Sequence, residues 1–491
     1  MKIIEILSKI DLINNSYFGE DDLKNIIFDS RKIQAGDVYF SLAKCPQNKR
    51  YEKEAIDKGA VVVIGETYTD KYPYVAVSNA RQTMASFCAE AYGHPEKKLS
   101  IIGITGTNGK TTTACLIAQF LQACKKRVAV IGTLGADLPN GRIETGMTTP
   151  DTPAFFSILS ECVDQEVEYV VIEVSAHAIY YDKLFAVPFE VGVFTNMTQD
   201  HLDFFKTMDR YAAVKKSWLF SNAVKVAAIN TDDALGREID MDRQGEKISF
   251  SVKKLSIRSN KDLFKEEDSV KNMLEEPLFD GEKPFTLTID GKEYTIKSPL
   301  VGRHNAENLL AALSAIYACR LPIQEEIDYI PELVGASGRF TVAYKGEYTI
   351  IVDYAHTPDG LANVLTAAKK IARGRLVVVF GCGGDRDRKK RPLMGKIAVD
   401  IADVVIVTSD NPRIEDPEQI IDDVFTGICK NFAFRYVDRT EAIRYAISCL
   451  GKGDVLLVAG KGAEQYMEIG QKKIPYSDFE VIKNIISERK K

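Results

Sequence analysis

Short apolar runs rich in β-branched residues recur along the 491-residue chain, and each run ends in a small polar cluster. Helical patterns separate the runs, an alternation that is typical of parallel sheets in α/β proteins. The pattern predicts strands at residues 169–174, 191–195, 224–229, 376–380, 404–408 and 455–459. Because open α/β sheets bind ligands at the carboxyl ends of their strands, the polar clusters should line clefts. The predicted fold class is therefore α/β.

Chain length and two polar stretches predict the division into domains. A chain of 491 residues exceeds what one hydrophobic core usually supports. The stretches at residues 94–98 and 335–338 indicate boundaries, since each is polar or rich in glycine. We expect three domains, at residues 1–97, 98–335 and 336–491.

One part of the second predicted domain departs from the α/β pattern. Between residues 253 and 283 charge is dense and periodicity is weak, which predicts an insertion. Two alternating runs follow, at residues 286–289 and 293–296, and Asp290-Gly291 separates them. They predict a hairpin on a two-residue turn.

Charge and cysteine usage exclude several classes of protein. A formal net charge of -5 argues against a general nucleic-acid surface, which would carry a basic excess. Residues 1–12 are interrupted by charged side chains, so neither a signal peptide nor a membrane span is predicted. Nine cysteines without a C-x-x-C pair argue against a disulfide framework. We expect a cytoplasmic monomer with small-molecule partners, no nucleic-acid partner and no membrane insertion.

The strongest chemical motif follows the apolar run at residues 99–104 and precedes a helical pattern at residues 114–124. Its glycines let backbone N–H groups wrap a polyphosphate, Lys110 supplies charge, and the Thr111 hydroxyl suits magnesium. The sequence therefore predicts a site for a nucleotide polyphosphate and Mg²⁺. The predicted nucleotide contacts are Gly106, Thr107, Asn108, Gly109, Lys110, Thr111 and Thr112.

Two further motifs end neighbouring predicted strands. Residues 173–177 read E-V-S-A-H, and residues 195–203 read T-N-M-T-Q-D-H-L-D. Magnesium prefers oxygen ligands, so Glu173 is a candidate ligand beside the phosphates, with His201 as a further one. A lone histidine is often structural, but four of the five histidines fall inside motifs.

The sequence T-G-T-N-G-K-T-T at residues 105–112 resembles the ATP-binding signature of the Mur ligases and their folylpolyglutamate synthetase relatives. The E-V-S-A-H and T-N-x-x-x-D-H-L-D motifs resemble that family as well, and the likeness extends in order over the whole chain. It implies a central P-loop parallel-sheet ATPase domain, flanked by an N-terminal α/β domain for the UDP-substrate and a C-terminal Rossmann-like domain for the amino acid.

The resemblance assigns further residues to the nucleotide and the metal. Tyr211-Ala212-Ala213-Val214-Lys215 is similar to a stretch whose lysine is carbamylated and helps to bind magnesium. Lys216 is the competing choice, and Lys215 is favoured at about two to one. The implied metal ligands are Thr111, Glu173, His201 and Lys215, and the catalytic residues are Lys110, Glu173, His201 and Lys215. Asn305 and Asn308 match an adenosine motif, while Arg339 and Asp353 match elements that close over ATP.

The resemblance also implies substrate contacts. Ser30 in D-S-R matches a UDP contact, Thr148, Thr149 and Ser175 match positions that hold the muramoyl dipeptide, and Lys183 stands where another contact often lies. A diamino acid presents carboxylate and ammonium groups, so its pocket needs both guanidinium and acidic groups. The candidates are Arg386, Asp410, Asn411, Pro412, Arg413, Gly460 and Glu464.

This resemblance implies an ATP-dependent, ADP-forming ligase. It would add meso-2,6-diaminopimelate, through an acyl phosphate, to the D-glutamate carboxylate of UDP-N-acetylmuramoyl-L-alanyl-D-glutamate in cell-wall synthesis. Lysine-adding and folylpolyglutamate-type ligases are the alternatives, and a silent nucleotide-binding regulator is a third. Phe205 and Ala463 stand where histidines are frequent in the family, so the chain departs from the family pattern at these two positions.

Overall fold

The computed structural model describes residues 1–42, 48–260, 283–429 and 432–489. The chain forms two compact units. The first comprises Met1–Gly103, Lys125–Gly192 and Ser217–Lys225, and the second comprises Ile104–Cys124, Val193–Lys216 and Val226–Lys491. Within the described ranges, no helix is both long enough and apolar enough to span a lipid bilayer.

The amino-terminal part of the chain forms a five-stranded sheet. Its strands are β1 (Asn14–Asn15), β2 (Ile26–Ile27), β3 (Val38–Ser41), β4 (Val62–Gly65) and β5 (Tyr74–Ala76), in the order β1-β5-β4-β3-β2. Strands β2 to β5 run parallel and β1 is antiparallel. The helices are α1 (Ile3–Leu7), α2 (Asn48–Asp57) and α3 (Ala80–Ala91), with 3-10 turns at Ser30–Lys32 and Pro95–Lys97. The side chain of Asn79 caps α3 by accepting from two backbone N–H groups.

The middle of the chain contributes an eleven-stranded sheet. Its strands are β6 (Ser100–Thr105), β7 (Val128–Gly132), β8 (Gly135–Leu138), β9 (Gly141–Ile143), β10 (Tyr169–Glu173), β11 (Phe189–Phe194), β12 (Val224–Asn230), β13 (Glu246–Ser251), β14 (Ser256–Ser259), β15 (Phe285–Ile289) and β16 (Lys292–Ile296). The strand order is β16-β15-β14-β13-β12-β11-β6-β10-β7-β8-β9. The helices are α4 (Lys110–Ala123), α5 (Thr152–Asp164), α6 (Ala176–Tyr180), α7 (Leu202–Phe205), α8 (Met208–Phe220), α9 (Ala234–Asp242), α10 (Arg303–Ala318) and α11 (Ile323–Tyr329), followed by a 3-10 turn at Ile330–Glu332.

The predicted strands and hairpin of this region are confirmed. Strands β10, β11 and β12 begin and end within about two residues of their predictions. Strands β15 and β16 pair antiparallel, and both turn residues, Asp290 and Gly291, have positive φ angles. Most of the predicted insertion, residues 261–282, lies outside the described residues. The predicted domain boundaries stay a prediction.

The carboxyl-terminal part forms a six-stranded, mostly parallel sheet. Its strands are β17 (Thr341–Lys345), β18 (Thr349–Asp353), β19 (Leu376–Phe380), β20 (Val404–Thr408), β21 (Ala433–Tyr436) and β22 (Val455–Ala459), in the order β17-β18-β22-β19-β20-β21. A hairpin follows, formed by β23 (Tyr466–Ile469) and β24 (Lys472–Pro475). The helices are α12 (Pro358–Ile371), α13 (Lys390–Ile401), α14 (Pro417–Phe425), α15 (Arg439–Ser448) and α16 (Asp478–Arg489).

Strands β18 to β22 of this sheet are parallel, and only β17 is antiparallel. The predicted strands at residues 376–380, 404–408 and 455–459 are confirmed as β19, β20 and β22. Every residue of β19 and β22 is buried, and apolar clusters cover both faces of the sheet. This burial explains why these strands read as continuous apolar runs without alternation.

A buried ion pair joins helices and strand ends in the carboxyl-terminal sheet. The guanidinium of Arg439 binds both carboxylate oxygens of Asp478 at 2.8 Å, and neither side chain is exposed. Arg439 also donates to the carbonyls of Ser409 and Ala459, directly after β20 and at the end of β22. Burial disfavours the charged guanidinium, but the charge and hydrogen bonds of Asp478 outweigh burial and raise the pKa of Arg439.

We predict that Asp478→Asn destabilises the protein by about 3–5 kcal/mol, because it leaves a buried guanidinium without its counter-charge. Urea unfolding followed by far-UV circular dichroism measures the loss. The double variant Arg439→Met, Asp478→Leu should lose less than Asp478→Asn, because it removes both buried charges. A single variant within about 1 kcal/mol of the parent would contradict the expected strength of the pair.

Candidate active site

The glycine-rich loop lies between strand β6 and helix α4. Gly106 and Gly109 have φ angles of 151° and 86°, and a Cβ at Gly109 would lie 2.3 Å from Oδ1 of Asn308. The ammonium of Lys110 donates to the carbonyls of Gly106 (3.0 Å) and Thr107 (2.8 Å). The lysine therefore folds back over the loop, at the N-terminus of a helix, where anions bind. Thr111 and Thr112 form the first turn of this helix and are buried.

A second polar segment is hydrogen-bonded to this loop. Asn196 accepts from the backbone N–H of Asn108 at 2.9 Å, and the hydroxyl of Thr195 donates to the carbonyl of Asn108 at 2.7 Å. The backbone N–H of Thr198 donates to the Thr107 hydroxyl at 3.1 Å. These bonds join residues of two motifs that are 87 to 91 residues apart in the chain.

His201 lies at the end of this segment, with a φ angle of 54°. Its ring packs edge-on against the ring of Tyr211, with 6.0 Å between the centroids. Next to it, burial tends to raise the pKa of Asp200, but the charges of neighbouring basic groups, His201 first and Lys390 among them, lower it. Asp200 is thus a partly buried carboxylate whose basic neighbours favour its ionised form.

The two neighbouring lysines of helix α8 have opposite environments. Lys215 is 1% exposed, and its ammonium nitrogen lies 4.5 Å from the centroid of the Tyr211 ring. Burial and, after it, the charge of Lys110 lower the pKa of Lys215 well below its ordinary value, with Asp200 opposing. The side chain of Lys216 is 28% exposed and pairs with Asp242 at 2.7 Å, a hydrogen bond that raises the pKa of Lys216.

Asn308 of helix α10 and Arg339, which precedes β17, contact the first turns of helix α4 directly after the loop. Asn308 accepts from the Thr113 hydroxyl at 3.4 Å, and the Asn305 side chain donates to the carbonyl of Val301. Arg339 donates to the Thr111 hydroxyl at 3.1 Å, and its guanidinium lies 4.2 Å from the centroid of the Tyr354 ring. The structure therefore places Arg339 on the hydroxyl that the sequence proposes for magnesium.

Asp353, at the end of β18, has local partners. Its two carboxylate oxygens accept from the backbone N–H groups of Phe340 (2.7 Å) and Ala355 (2.6 Å). Burial raises the pKa of Asp353, although Arg339 and these two N–H groups oppose the shift. Farther along, Asp359 in helix α12 accepts from the Asn108 side chain at 3.0 Å. Asp359 thereby connects the glycine-rich loop to the first turn of α12.

Glu173 is buried at the end of β10 and is held by Thr133. Its carboxylate accepts from the backbone N–H of Thr133 at 2.9 Å and from the Thr133 hydroxyl at 3.2 Å. The Thr133 hydroxyl also lies 3.1 Å from the hydroxyl of Thr148. A Cβ at Gly132 would lie 2.2 Å from Oε1 of Glu173, so a larger residue there would displace the carboxylate from its present position.

The proposed dipeptide contacts cluster beside Glu173. The Thr149 hydroxyl donates to the Glu173 carbonyl at 2.8 Å and lies 3.0 Å from the Ser175 hydroxyl. Lys183 pairs with Asp151 at 2.7 Å and donates to the Thr149 carbonyl at 3.4 Å. Ser30, which belongs to the amino-terminal sheet region, donates to Glu54 at 3.1 Å.

The carboxyl ends of β20 and β22 carry a buried polar cluster. The ammonium of Lys461 donates to Asn411 at 2.9 Å and to Glu464 at 3.0 Å, and it lies 3.8 Å from Asp410. The Asn411 amide donates to the same Glu464 oxygen at 2.9 Å. A Cβ at Gly460 would lie 2.4 Å from Asp410, so the glycine admits that carboxylate.

Arg413 and Arg386 have different settings. Arg413 is 21% exposed, and its Nε donates to Glu468 at 2.9 Å while Nη1 donates to the Gly384 carbonyl at 2.7 Å. Arg386 is exposed and donates to the carbonyl of Asp385.

A cavity of about 410 Å³ contains none of the predicted site residues; it is lined by Met1, Leu23, Lys24, Asn25, Tyr92 and Ser157, among others. Within the described ranges, no three His, Cys, Asp and Glu side chains form a metal site by themselves.

Two family models match the chain: the Mur ligase middle domain over residues 104–316 and the Mur ligase glutamate ligase domain over residues 338–462. The UDP-N-acetylmuramoyl-L-alanyl-D-glutamate--2,6-diaminopimelate ligase of Clostridium tetani is 37% identical, over 99% of this chain and all of that one.

The chain belongs to the Mur ligase family.

Solved structures extend the comparison. A structure with the same ligase name as the C. tetani relative covers 100% of this chain and 99% of its own, with 31% identity and a TM-score of 0.67. A Mycobacterium tuberculosis folylpolyglutamate synthase, complexed with ADP and AMPPCP, covers 77% of this chain and 92% of its own. It is 18% identical with a TM-score of 0.62, so this likeness concerns the fold alone. The predicted fold class and enzyme class are confirmed, whereas the roles of individual residues stay predictions.

Sequence reasoning missed three residues of this Mur ligase that hold predicted site residues. Thr133 binds Glu173, Lys461 binds Glu464, and Glu468 binds Arg413. Thr133 follows a glycine at the end of β7, and Lys461 lies between Gly460 and Gly462, close to the predicted Glu464, so each carried a usable signal. Glu468 stands in a short hairpin without any recognisable motif.

Acid should destabilise this Mur ligase partly through His304. The imidazole packs against Phe340, and burial lowers its pKa to about 4. The unfolded chain binds this proton near pH 6.5, so the stability is complete above that pH and is lost as pH falls towards 4. Urea unfolding at pH 7.5, 6 and 5 measures the free energy of unfolding. This free energy should decrease less with falling pH in His304→Gln than in the parent, by up to roughly 1.4 kcal/mol per pH unit. Parallel curves for both proteins would contradict this.

Proposed function

We propose that this Mur ligase joins meso-2,6-diaminopimelate to the D-glutamate carboxylate of UDP-N-acetylmuramoyl-L-alanyl-D-glutamate, using ATP, in peptidoglycan precursor synthesis. The observation that carries the proposal is full-length identity of 37% with a ligase named for that reaction. The glycine-rich loop and the polar ends of the carboxyl-terminal strands supply matching chemistry for a phosphate donor and a charged amine.

The reaction has two steps. An oxygen of the D-glutamate carboxylate attacks the γ-phosphorus of ATP, ADP leaves, and an acyl phosphate forms. The amine of the diamino acid then attacks the acyl carbon, phosphate leaves, and the nitrogen loses a proton as the amide forms. Lys110 and the N-terminus of α4 stabilise the phosphate charge in the first step, and positioning of the amine accelerates the second.

The nucleotide contacts are proposed on the geometry of the loop and its neighbours. The phosphates would bind to the glycine-rich loop and the first turn of α4, with Arg339 beside them. The proposed contacts are Gly106, Thr107, Asn108, Gly109, Lys110, Thr111 and Thr112. Asn305 and Asn308 would contact the adenosine. Asp353 would accept from ribose hydroxyls, although its oxygens already accept from Phe340 and Ala355.

Magnesium fits the oxygen-rich chemistry of the proposed ligands. Thr111 offers a hydroxyl, Glu173 a buried carboxylate, His201 an imidazole, and Lys215 an amine that becomes anionic when carbamylated. Magnesium usually retains waters and phosphate oxygens, so few protein ligands suffice, and it supplies charge neutralisation during phosphoryl transfer. Thr133 holds the Glu173 carboxylate in one orientation.

The UDP-linked muramoyl dipeptide and the diamino acid are assigned to separate groups of residues. Ser30 would hold the UDP moiety, and the muramoyl dipeptide would contact Thr148, Thr149, Ser175 and Lys183. The diamino acid would contact Arg386, Asp410, Asn411, Pro412, Arg413, Gly460 and Glu464. Arg413 is the residue best suited to bind the far carboxylate of meso-diaminopimelate, since a guanidinium matches a carboxylate. Free lysine, the competing substrate, lacks that carboxylate. The expected cytoplasmic location and monomeric state stay predictions.

An ADP-release assay with UDP-muramoyl dipeptide and a panel of amines tests this proposal. We expect ADP release to require both the dipeptide substrate and the amine, with meso-diaminopimelate preferred over lysine. Charge-assisted hydrogen bonds of about 1.5–3 kcal/mol correspond to roughly tenfold to over a hundredfold discrimination. Lys110→Ala should abolish turnover while leaving the fold intact. Preferential use of lysine at equal concentrations would overturn the specificity for meso-diaminopimelate. ADP release that requires a folate and glutamate would indicate a folylpolyglutamate-type ligase.

We predict a carbamate on Lys215 and none on Lys216. Carbon dioxide reacts with a neutral amine. Burial lowers the pKa of Lys215, which favours the neutral amine, whereas the hydrogen bond to Asp242 raises the pKa of Lys216. Carbon-13 NMR of the protein in labelled bicarbonate should show one carbamate signal that is lost in Lys215→Ala and retained in Lys216→Ala. A signal that follows Lys216 would move the modification to that residue.

A further inference from the structure

The loop that carries Arg413 is tied to strand β23. The backbone N–H of Arg413 donates to the carbonyl of Glu468 at 3.0 Å, and the N–H of Gly470 donates to the carbonyl of Arg413 at 2.7 Å. Arg413 has a φ angle of 54°, a left-handed conformation that is costly for a side chain with a Cβ. The hairpin therefore holds the backbone of Arg413 in an unfavourable conformation.

A second loop closes on the first. The backbone N–H of Gly384 donates to the carbonyl of Asn411 at 2.9 Å, and a Cβ at Gly384 would lie 1.9 Å from the carbonyl oxygen of Pro412. A Cβ at Gly383 would lie 3.1 Å from Nη1 of Arg413. The two glycines allow the loops to approach so closely that the guanidinium reaches the Gly384 carbonyl.

The Arg413 side chain is held on two sides. Its Nε donates to the carboxylate of Glu468 at 2.9 Å, and its Nη1 donates to the carbonyl of Gly384 at 2.7 Å. The backbone N–H of Glu468 in turn donates to Oδ1 of Asn411 at 2.9 Å. Glu468 is thus anchored by the Asp-Asn-Pro-Arg loop while its carboxylate binds the arginine of that loop.

We propose that Glu468 is a positioning residue for amine selection: it orients the Arg413 guanidinium so that the remaining N–H groups meet the far carboxylate of the diamino acid. This inference rests on the proposed function. It deepens that function because Glu468 acts through Arg413 and does not itself bind the amine.

The donor geometry supports this role. A guanidinium has five N–H donors in one plane, and Glu468 and Gly384 engage two of them. The remaining donors lie on Nη1 and Nη2, which form the end-on fork that binds a carboxylate in a bidentate manner. Two contacts fix the plane of the group, so the substrate meets a preorganised fork. Without Glu468, binding would have to order a flexible side chain, which weakens affinity.

The charge of Glu468 makes recognition depend on geometry. Glu468 offsets the positive charge of Arg413, and both side chains are partly buried, with exposures of 29% and 21%. A free arginine would attract any anion and repel any ammonium. An arginine paired in this way discriminates mainly through the directions of its N–H groups. The effect should concern the far carboxylate and leave ATP and the UDP-substrate untouched.

Steady-state kinetics of Glu468→Ala and Glu468→Gln tests the proposal. We expect Glu468→Ala to raise the KM for meso-diaminopimelate about tenfold, because the guanidinium is no longer oriented. The kcat and the KM for ATP should stay within about twofold. Glu468→Gln should restore a KM near that of the parent, because its amide oxygen still accepts from Nε. Lys472→Gln, in the same hairpin, is the matched control and should behave like the parent.

A double-mutant cycle with Arg413→Ala separates positioning from a general structural role. If Glu468 acts through Arg413, Glu468→Ala should cause no further increase in KM when Arg413 is already alanine. The proposal would be overturned if the increases in KM caused by Glu468→Ala and Arg413→Ala multiply in the double variant. It would also be overturned if Glu468→Ala raised the KM values of all three substrates equally. Thermal melting checks each variant, and Glu468→Thr, with high strand propensity, replaces the alanine variant if that one unfolds.

The outcomes also distinguish this inference from the proposed function. A parent enzyme that does not incorporate meso-diaminopimelate refutes the proposed function itself. A parent enzyme that does incorporate it, with a KM unchanged by Glu468→Ala, refutes only the role of Glu468.

Discussion

The bond between Arg439 and Asp478 joins the start of helix α16 to the start of helix α15, and the same guanidinium holds the carbonyls of Ser409 and Ala459. Asp410 and Asn411 follow the first carbonyl, and Gly460 and Lys461 follow the second. The buried pair therefore sets how far apart these two loops begin. Burying a guanidinium is expensive, and four hydrogen bonds offset the cost only when all partners are in place. The polar cluster at the strand ends depends on this single arrangement.

Two buried lysines in this protein illustrate opposite solutions to burying a charge. Lys461 is fully buried, and its side-chain nitrogen is hydrogen-bonded to Glu464 and Asn411 with Asp410 nearby, so carboxylates and an amide surround it. Lys215 is buried against an aromatic ring and close enough to Lys110 to feel its charge, so its surroundings favour the neutral amine. The first lysine is suited to holding carboxylates in place, and the second is suited to chemical modification.

Much of the fold could be predicted from apolar runs, because buried parallel strands need continuous β-branched sequences, as in β19 and β22. The glycine-rich loop could also be recognised from the sequence, since its glycines and lysine lie close together in the chain. Glu468 could not be found in this way, because its partner lies 55 residues away in the chain and only folding brings the two together. The choice between Lys215 and Lys216 depended on which side of α8 is buried, a property of packing that two adjacent lysines do not reveal. The amide partners of Asp353 were likewise invisible, because they depend on the turn after β18.

The close approach of Gly384 to Pro412 has an evolutionary consequence. Backbone meets backbone at this point, so neither loop can shift without losing the contact. If the diamino acid binds here, as proposed, a change of preferred amine would come most readily from exchanging side chains that project from these loops, such as those at positions 413 and 468. Divergence of selectivity within this scaffold should accordingly appear as point replacements on an unchanged loop backbone.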